Sequence, residues 1–131
     1  MTVTHLADAC ALIVYLSEPD PERVLSRESV ALLRQGAAGV SPITVWEITR
    51  KTAIGTLPST WADYASLPAL LQEQGFPPVS LTWQDAAEAN RLPSLHKGPM
   101  DRMLVAQALR LGAPVITEDA IFRGYGVRTL W

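Results

Sequence analysis

Apolar residues in this chain fall into short runs punctuated by turn-forming residues, and the runs alternate between strand-like and helix-like patterns. Val3 to Ala7 predicts a short strand ending at Asp8, and the continuous apolar stretch Ala9 to Leu16 predicts a buried helix. Pro19, Asp20 and Pro21 then break the chain. Asp20 as N-cap with Pro21 in the first helical position predicts a helix through Arg34, whose Val24, Leu25, Val30, Leu32 and Leu33 face a core. Gly36 and Gly39 frame a turn, Gly39 to Ser41 predicts a second strand, and Pro42 opens a helix over Ile43 to Ile54 that Gly55 stops. In that helix Val45, Ile48, Thr49 and Thr52 face inward, while Glu47, Arg50 and Lys51 are polar.

Ser59 or Thr60 caps a helix from Trp61 to Gln74, and Phe76 to Leu81, with Pro77 and Pro78, suits an edge strand. Trp83 to Leu92 reads as helical, and Pro93, Gly98 and Pro99 make a loop. Met100 to Leu111 then carries Met103, Leu104, Ala108 and Leu111 at helical spacing and ends at Gly112. Val115 to Thr117 and Val127 to Leu130 are short β-rich runs, separated by a turn or short helix around Asp119 to Tyr125. No repeat, low-complexity tract or linker divides the 131 residues, so residues 1–131 read as a single domain. The alternation predicts an α/β fold in three layers, a mostly parallel central sheet of about five short strands flanked by helices on both faces.

Composition narrows the class. A content of 48% hydrophobic and 18% charged residues is that of a folded globular chain rather than a disordered one. The longest apolar run is far shorter than the ~20 residues a membrane span needs, and no basic start precedes it, so a cytoplasmic protein is expected. Cys10, the single cysteine, excludes an internal disulfide; between Ala9 and Ala11 it reads as a small buried side chain. A net charge of −2 excludes a globally basic nucleic-acid grip, so any such binding must be local. Lys51, Lys97, Arg102, Arg123 and Arg128 are candidates for a basic rim, although each one alone reads as a solvated surface charge.

Chemistry enters with four acids. In open α/β sheets, ligands sit beyond the carboxyl ends of the strands, where strand order reverses. Asp8 directly follows the first strand, and Asp119 follows the strand Val115 to Thr117; if these strands are central neighbours, the two carboxylates converge. Glu47, about a turn into its helix, and Asp101, at the opening of the helix Met100 to Leu111, fall near the same rim. Singly, each has a structural reading: Asp8 as an N-cap, Asp101 as a favourable charge at a helix start, Asp119 as a turn former, Glu47 as a solvated residue. Jointly they repel. Two carboxylates 4 Å apart cost about 4 kcal/mol at an effective dielectric of 20, and a divalent cation supplies the missing counter-charge.

An all-oxygen donor set favours Mg²⁺ or Mn²⁺ over zinc, and His5 and His96 stand at no recognised zinc spacing. Hard cations suit phosphodiester hydrolysis, because they activate water and neutralise developing charge. Thr117 is a candidate to hydrogen-bond a metal-bound water, or else an ordinary β-branched strand residue, and Glu118 is an auxiliary acid ranked below Asp119 because adjacent strand-end residues diverge. His96, a lone histidine in a polar loop, is left out of the site, and Trp46, Trp61, Trp83 and Trp131 read as core or interface rather than base-stacking residues. A dehalogenase-type phosphatase is set aside because it needs a second aspartate where Cys10 stands.

Four segments, "HLADACALIVYL", "SPITVWEITRKTAIGTL", "HKGPMDRMLVAQALRLG" and "PVITEDAIFRGYGVRTLW", together resemble the PIN-domain ribonucleases, and among them the VapC-type toxins of bacterial toxin-antitoxin pairs. Matched motif by motif, the resemblance places the family's metal-binding and catalytic acids at Asp8, at Glu47 of "WEI", at Asp101 of "MDR" and at Asp119 of "TED". It implies a PIN-like fold, Mg²⁺ or Mn²⁺, cleavage of RNA, a homodimer, and inhibition by a cognate antitoxin, for which the helices Pro21 to Arg34 and Trp61 to Gln74 are the expected groove walls. Where the family often has "DPFDR" this chain has "GPMDR", with Gly98 in place of a carboxylate and Met100 in place of an aromatic. That departure motivates the alternative of a PIN-like binding module with a degraded metal site; a metal titration separates the two.

Overall fold

The computed structural model describes residues 2–95 and 98–131. Strand β1 (His5–Ala7) gives way at Asp8 to helix α1 (Ala9–Ser17), as the apolar pattern predicts. A single 3-10 turn, Pro21–Arg23, precedes α2 (Arg27–Arg34) where one continuous helix was expected. Asp20 makes no side-chain cap bond, whereas the Ser26 hydroxyl accepts the Ser29 N–H at 3.1 Å, so the helix starts at Ser26 instead. The break turns Leu25 into the core.

Strand β2 (Ala38–Gly39) leads into α3 (Pro42–Ala53), which Ser41 caps by accepting the Ile43 N–H at 3.1 Å, with Pro42 in the first turn. The helix expected over Trp61 to Gln74 contracts to α4 (Leu67–Glu73). The cause is Asp63, whose carboxylate accepts the N–H groups of Ala65 (3.1 Å) and Ser66 (2.7 Å) and holds that stretch as a turn until Pro68 restarts the helix. Then come α5 (Trp83–Ala89), α6 (Pro99–Leu111), β3 (Val115–Ile116), α7 (Ile121–Gly124) and β4 (Thr129–Leu130). Helix α6 ends at Gly112, left-handed at φ 62°, the conformation that favours glycine.

Among the described residues the sheet has four strands in the order β2-β1-β3-β4, all parallel, rather than about five. The missing strand is Phe76 to Leu81. Its prolines leave it one parallel bridge, Val40 with Pro78, in which the Val40 N–H donates to Pro77 O and the Val79 N–H to Val40 O. This segment presses so closely on β2 that a Cβ at Gly39 would overlap the Val79 side chain and stand 3.0 Å from that of Val3.

Both faces of the sheet are covered, because successive strand residues point to opposite sides. Leu6 and Val115 pack with Leu104, Val105 and Phe122 on one side; Ala7 and Ile116 pack with Leu12, Val30, Ile48 and Leu67 on the other. Fully burying a residue of Leu or Ile size contributes roughly 1.5–3 kcal/mol, so these layers rather than two- and three-residue ladders hold the sheet together. No described helix is long and apolar enough to cross a membrane.

The packing of α5 on α6 contains one buried ion pair. Asp85, 1% exposed, closes a capping box with Thr82 and accepts two hydrogen bonds from Arg110, at 2.7 and 2.9 Å. Burial alone would raise the Asp85 pKa; the Arg110 and Thr82 bonds override it and hold the carboxyl below its ordinary value. Removing one partner of a fully buried pair costs ~3–5 kcal/mol, and the partly exposed Arg110 places this pair below that range. Arg110→Met is therefore expected to lower unfolding stability by about 2 kcal/mol in urea titration; a change below about 0.5 kcal/mol would show that the pair is not needed.

Candidate active site

Strands β1 and β3 are central neighbours, with Leu6 opposite Val115 and Ala7 opposite Ile116, and the chain reverses its direction of strand addition between them. The crevice beyond their carboxyl ends is the place where such sheets bind ligands. The Asp8 N–H extends the pairing by donating to Ile116 O at 3.2 Å, so the Asp8 side chain is delivered to this crevice by the sheet itself. Its carboxylate also caps α1, accepting the Ala11 N–H at 2.9 Å. The N-cap reading of Asp8 holds, and the same side chain stands at the crevice. Burial raises the pKa of this carboxyl most; bonds from the Thr117 hydroxyl and the Ala11 N–H oppose the rise, and the charges of Asp119 and Glu118 add to it.

Thr117 is the junction between two of the acids. Buried at the end of β3, it accepts the Asp119 N–H at 3.0 Å while its hydroxyl serves the Asp8 carboxylate. Asp119 itself is exposed and makes a turn by accepting the Ile121 N–H at 3.0 Å. The Thr117 hydroxyl is thus bonded to protein groups on both sides, the Asp119 N–H and the Asp8 carboxylate. A β-branched residue before a turn carries that signal only when the partner strand is known.

Glu47 is positioned by a different hydroxyl. Thr44, buried on α3, donates to Ala7 O at 3.2 Å and fastens the first turn of α3 to the end of β1. Three residues on, Glu47 falls on the same face of the helix and points toward the crevice. Burial raises its pKa first; Asp101 raises it further by charge and by a hydrogen bond that favours a proton on Glu47, Asp8 adds to the rise, and Lys51 opposes it. Asp101 lies in the first turn of α6, where a negative charge meets the positive end of the helix dipole.

The four acids thus form two pairs around one crevice, Asp8 with Asp119 and Glu47 with Asp101, coupled through Asp8 and Glu47. Among the described residues no three His, Cys, Asp or Glu side chains close on a common point as metal ligands. Burial first and the charges of neighbouring acids second raise the pKa values of Asp8 and Glu47, so the group carries uncompensated negative charge when ionised. The donor set is all carboxylate, the chemistry of a hard divalent cation, and the group is one that a cation would fit by compensating that charge.

Several neighbours are clarified. Cys10 is half-buried at the crevice wall, and burial followed by the charge of Asp8 pushes its thiol up, away from the reactive thiolate. Glu118 is exposed yet close enough to act on Asp8. Arg102 is neither a rim residue nor a solvated charge: it donates to the carbonyls of Ala89 (3.1 Å), Leu92 (2.8 Å) and Pro93 (3.0 Å), tying the end of α5 to the helix that carries Asp101. Tyr125 donates to the same Pro93 carbonyl at 2.9 Å, so Pro93 is held from two sides. Trp83 and Trp46 are 97% and 46% exposed and cannot be core, whereas Trp61 and Trp131 pack against it. His96 and Lys97 lie outside the described residues.

A family model described as the PIN domain matches residues 6–127. The fold is similar to that of VapBC2 from Rickettsia felis bound to a DNA fragment from their promoter, at TM-score 0.69 and 12% identity, covering 98% of this chain and 97% of that one. It is also similar to FitAB bound to an IR36 DNA fragment (TM-score 0.63, 19% identity, 99% and 94% covered). A further similar structure is FitAcB from Neisseria gonorrhoeae (TM-score 0.59, 18% identity, 100% and 97% covered). No curated protein matches the sequence.

Asp8→Asn keeps the helix cap and removes one of the crowded charges, so in EDTA at neutral pH the variant is expected to be more stable than wild type by about 1 kcal/mol. Millimolar Mg²⁺ should raise the melting temperature of wild type and leave the variant nearly unchanged; equal responses of the two would rule out Asp8 as a ligand. The sign with pH follows. A carboxyl whose pKa is raised by folding stabilises the fold most when protonated and loses that contribution as pH rises through its folded pKa. In metal-free protein the advantage of Asp8→Asn should therefore shrink as pH falls from about 7.5 toward about 5, which urea melts at each pH would read. His5, whose pKa burial lowers, shifts both proteins alike and cancels in the comparison.

Proposed function

The chain belongs to the PIN-domain family, and from that premise we propose that it is a metal-dependent ribonuclease, the VapC-type toxin of a toxin-antitoxin pair, acting in the cytoplasm. The observation that supports the reading is that Asp8, at the β1–β3 switch point, feels the charge of Asp119 while Glu47 feels those of Asp8 and Asp101. These four residues would hold Mg²⁺ or Mn²⁺. When bound, such a cation supplies Lewis acidity toward a phosphodiester and lowers the pKa of water.

The chain's own groups prepare that chemistry. Thr117 and the Ala11 N–H favour the ionised form of Asp8, the form that can coordinate. Glu47, whose pKa is raised in the metal-free protein and which bonds to Asp101, would lose any proton it carries on taking up the cation, so binding should release protons. A homodimer and a cognate antitoxin complete the reading. Exposed apolar side chains such as Trp46, Ile54 and Trp83 support protein partners, as does the likeness to VapBC2 and FitAB. The alternative, a PIN-like module that only binds, draws on Gly98 alone, and the presence of all four acids argues against it.

The test is cleavage of a mixed RNA pool by purified, partner-free protein in Mg²⁺ or Mn²⁺ and in EDTA. Cleavage is expected only with the cation, and Glu47→Gln should lower it by more than the ~10–100-fold typical of losing an outer-shell partner. Thr117→Val should fall within that ~10–100-fold range. Cleavage that persists in EDTA would overturn the metal mechanism.

A further inference from the structure

Most arginines near the sheet are occupied. Arg110 is paired with Asp85, Arg102 with three carbonyls, Arg91 with Glu88, and Arg50 lies over the Trp46 ring. Arg123 and Arg128 are different: both are exposed, and neither side chain has a hydrogen-bond or ion-pair partner among the described residues. They also face hollows that adjoin. A cleft of about 350 Å³ runs from Glu118 and Asp119, at the crevice, to Arg123, Thr129 and Trp131. A larger cavity of about 820 Å³ is lined by Arg123 and Thr129 again, and continues to Arg128 and His5. Arg123, Thr129 and Leu130 line both, so the two hollows adjoin at β4, the edge strand, and the larger one continues past Arg128 to Pro114 and His5 at the amino ends of β3 and β1.

We propose that this groove is the path of the RNA strand leaving the acid crevice, with Arg123 and Arg128 binding successive backbone phosphates along the β4 edge. The inference rests on the ribonuclease reading and extends it to the way substrate is held. In a chain of net charge −2 whose metal-free crevice is rich in carboxylates and is faced by Lys51, cations beyond the crevice would add to the grip on a polyanion. Unpaired arginines on a groove that opens from the crevice supply them, and the forked guanidinium matches phosphate geometry. Glu28 is the opposing charge in the larger cavity; it faces His5, whose own protonation is opposed by burial and by Arg128. The two arginines therefore carry the positive charge of the path. An acidic segment of a protein partner is the competing occupant.

The test is fluorescence anisotropy in EDTA with a labelled single-stranded oligouridylate of roughly twelve nucleotides and one of about three, titrated at several salt concentrations. Arg123→Ala/Arg128→Ala is expected to weaken binding of the longer strand about tenfold and to lower its salt slope by about 1.4, the release from two single-strand phosphate contacts. Arg23→Ala/Arg34→Ala, an equal charge loss elsewhere, should leave that slope unchanged, and the short strand should change less than about threefold. Arg123→Lys/Arg128→Lys should keep most of the slope. An unchanged slope in the alanine pair, equal losses in the control pair, no binding by wild type at low salt, or a loss confined to capture of a co-expressed protein partner would each overturn the proposal. Cleavage of the same strand by wild type in Mg²⁺ is scored separately. Binding along the groove without cleavage counts against the nuclease reading alone, and cleavage with an unchanged slope counts against the path alone.

Discussion

Parallel pairing of β1 with β3 is the constraint from which the rest of the site follows. It sets Ala7 opposite Ile116, so the next residues of each strand, Asp8 and Thr117, emerge side by side where the sheet changes direction. The Thr117 hydroxyl then joins the Asp8 carboxylate to the backbone of Asp119. On the other side, Thr44 ties α3 to the Ala7 carbonyl and carries Glu47 to the same crevice. Two buried hydroxyls, each bonded to the end of a central strand, therefore do most of the positioning.

A cluster of this kind works against the fold that makes it. Burial and mutual repulsion raise the pKa values of Asp8 and Glu47, so in metal-free protein these groups cost stability when ionised. The surrounding packing offsets that cost. The Asp85–Arg110 pair joins α5 to α6, Arg102 gathers the carbonyls at the end of α5, and Gln107 donates to the carbonyls of Val79 and Ser80. Helix α6 thereby holds the stretch from Val79 to Pro93, while Asp101 lies in its first turn. Cations spent in this scaffold are unavailable to a polyanionic ligand, which sets apart Arg123 and Arg128, whose side chains have no partner among the described residues.

Much of this was legible in the residue pattern, because the strands and helices that build the crevice are strongly patterned. The boundaries at Asp8, Pro42 and Gly112 follow directly from capping residues and from the apolar runs beside them. The elements misread were those decided by a single side-chain bond. Ser26 moves a helix start that Asp20 seemed to own, and Asp63 unwinds the front of the Trp61 to Gln74 segment. Pro77 and Pro78 reduce a strand to one bridge. The four acids could be named from their places along the chain, but their division into two pairs depends on side-chain contacts between α3 and α6 that no linear pattern encodes. Arg102 was unreadable for the same reason: only the fold shows that its donors face carbonyls rather than solvent.

The central claim is that Asp8, Glu47, Asp101 and Asp119 act as one cation site. It is tested most directly by titrating substoichiometric Mn²⁺ into isotope-labelled protein and following paramagnetic broadening of backbone amide signals. The account predicts that amides at Ala9 to Ala11, around Glu47, in the first turn of α6 and at Asp119 to Ile121 broaden together, and that Mg²⁺ competes the effect away. Broadening confined to one of the two acid pairs, or centred elsewhere on the surface, would contradict it.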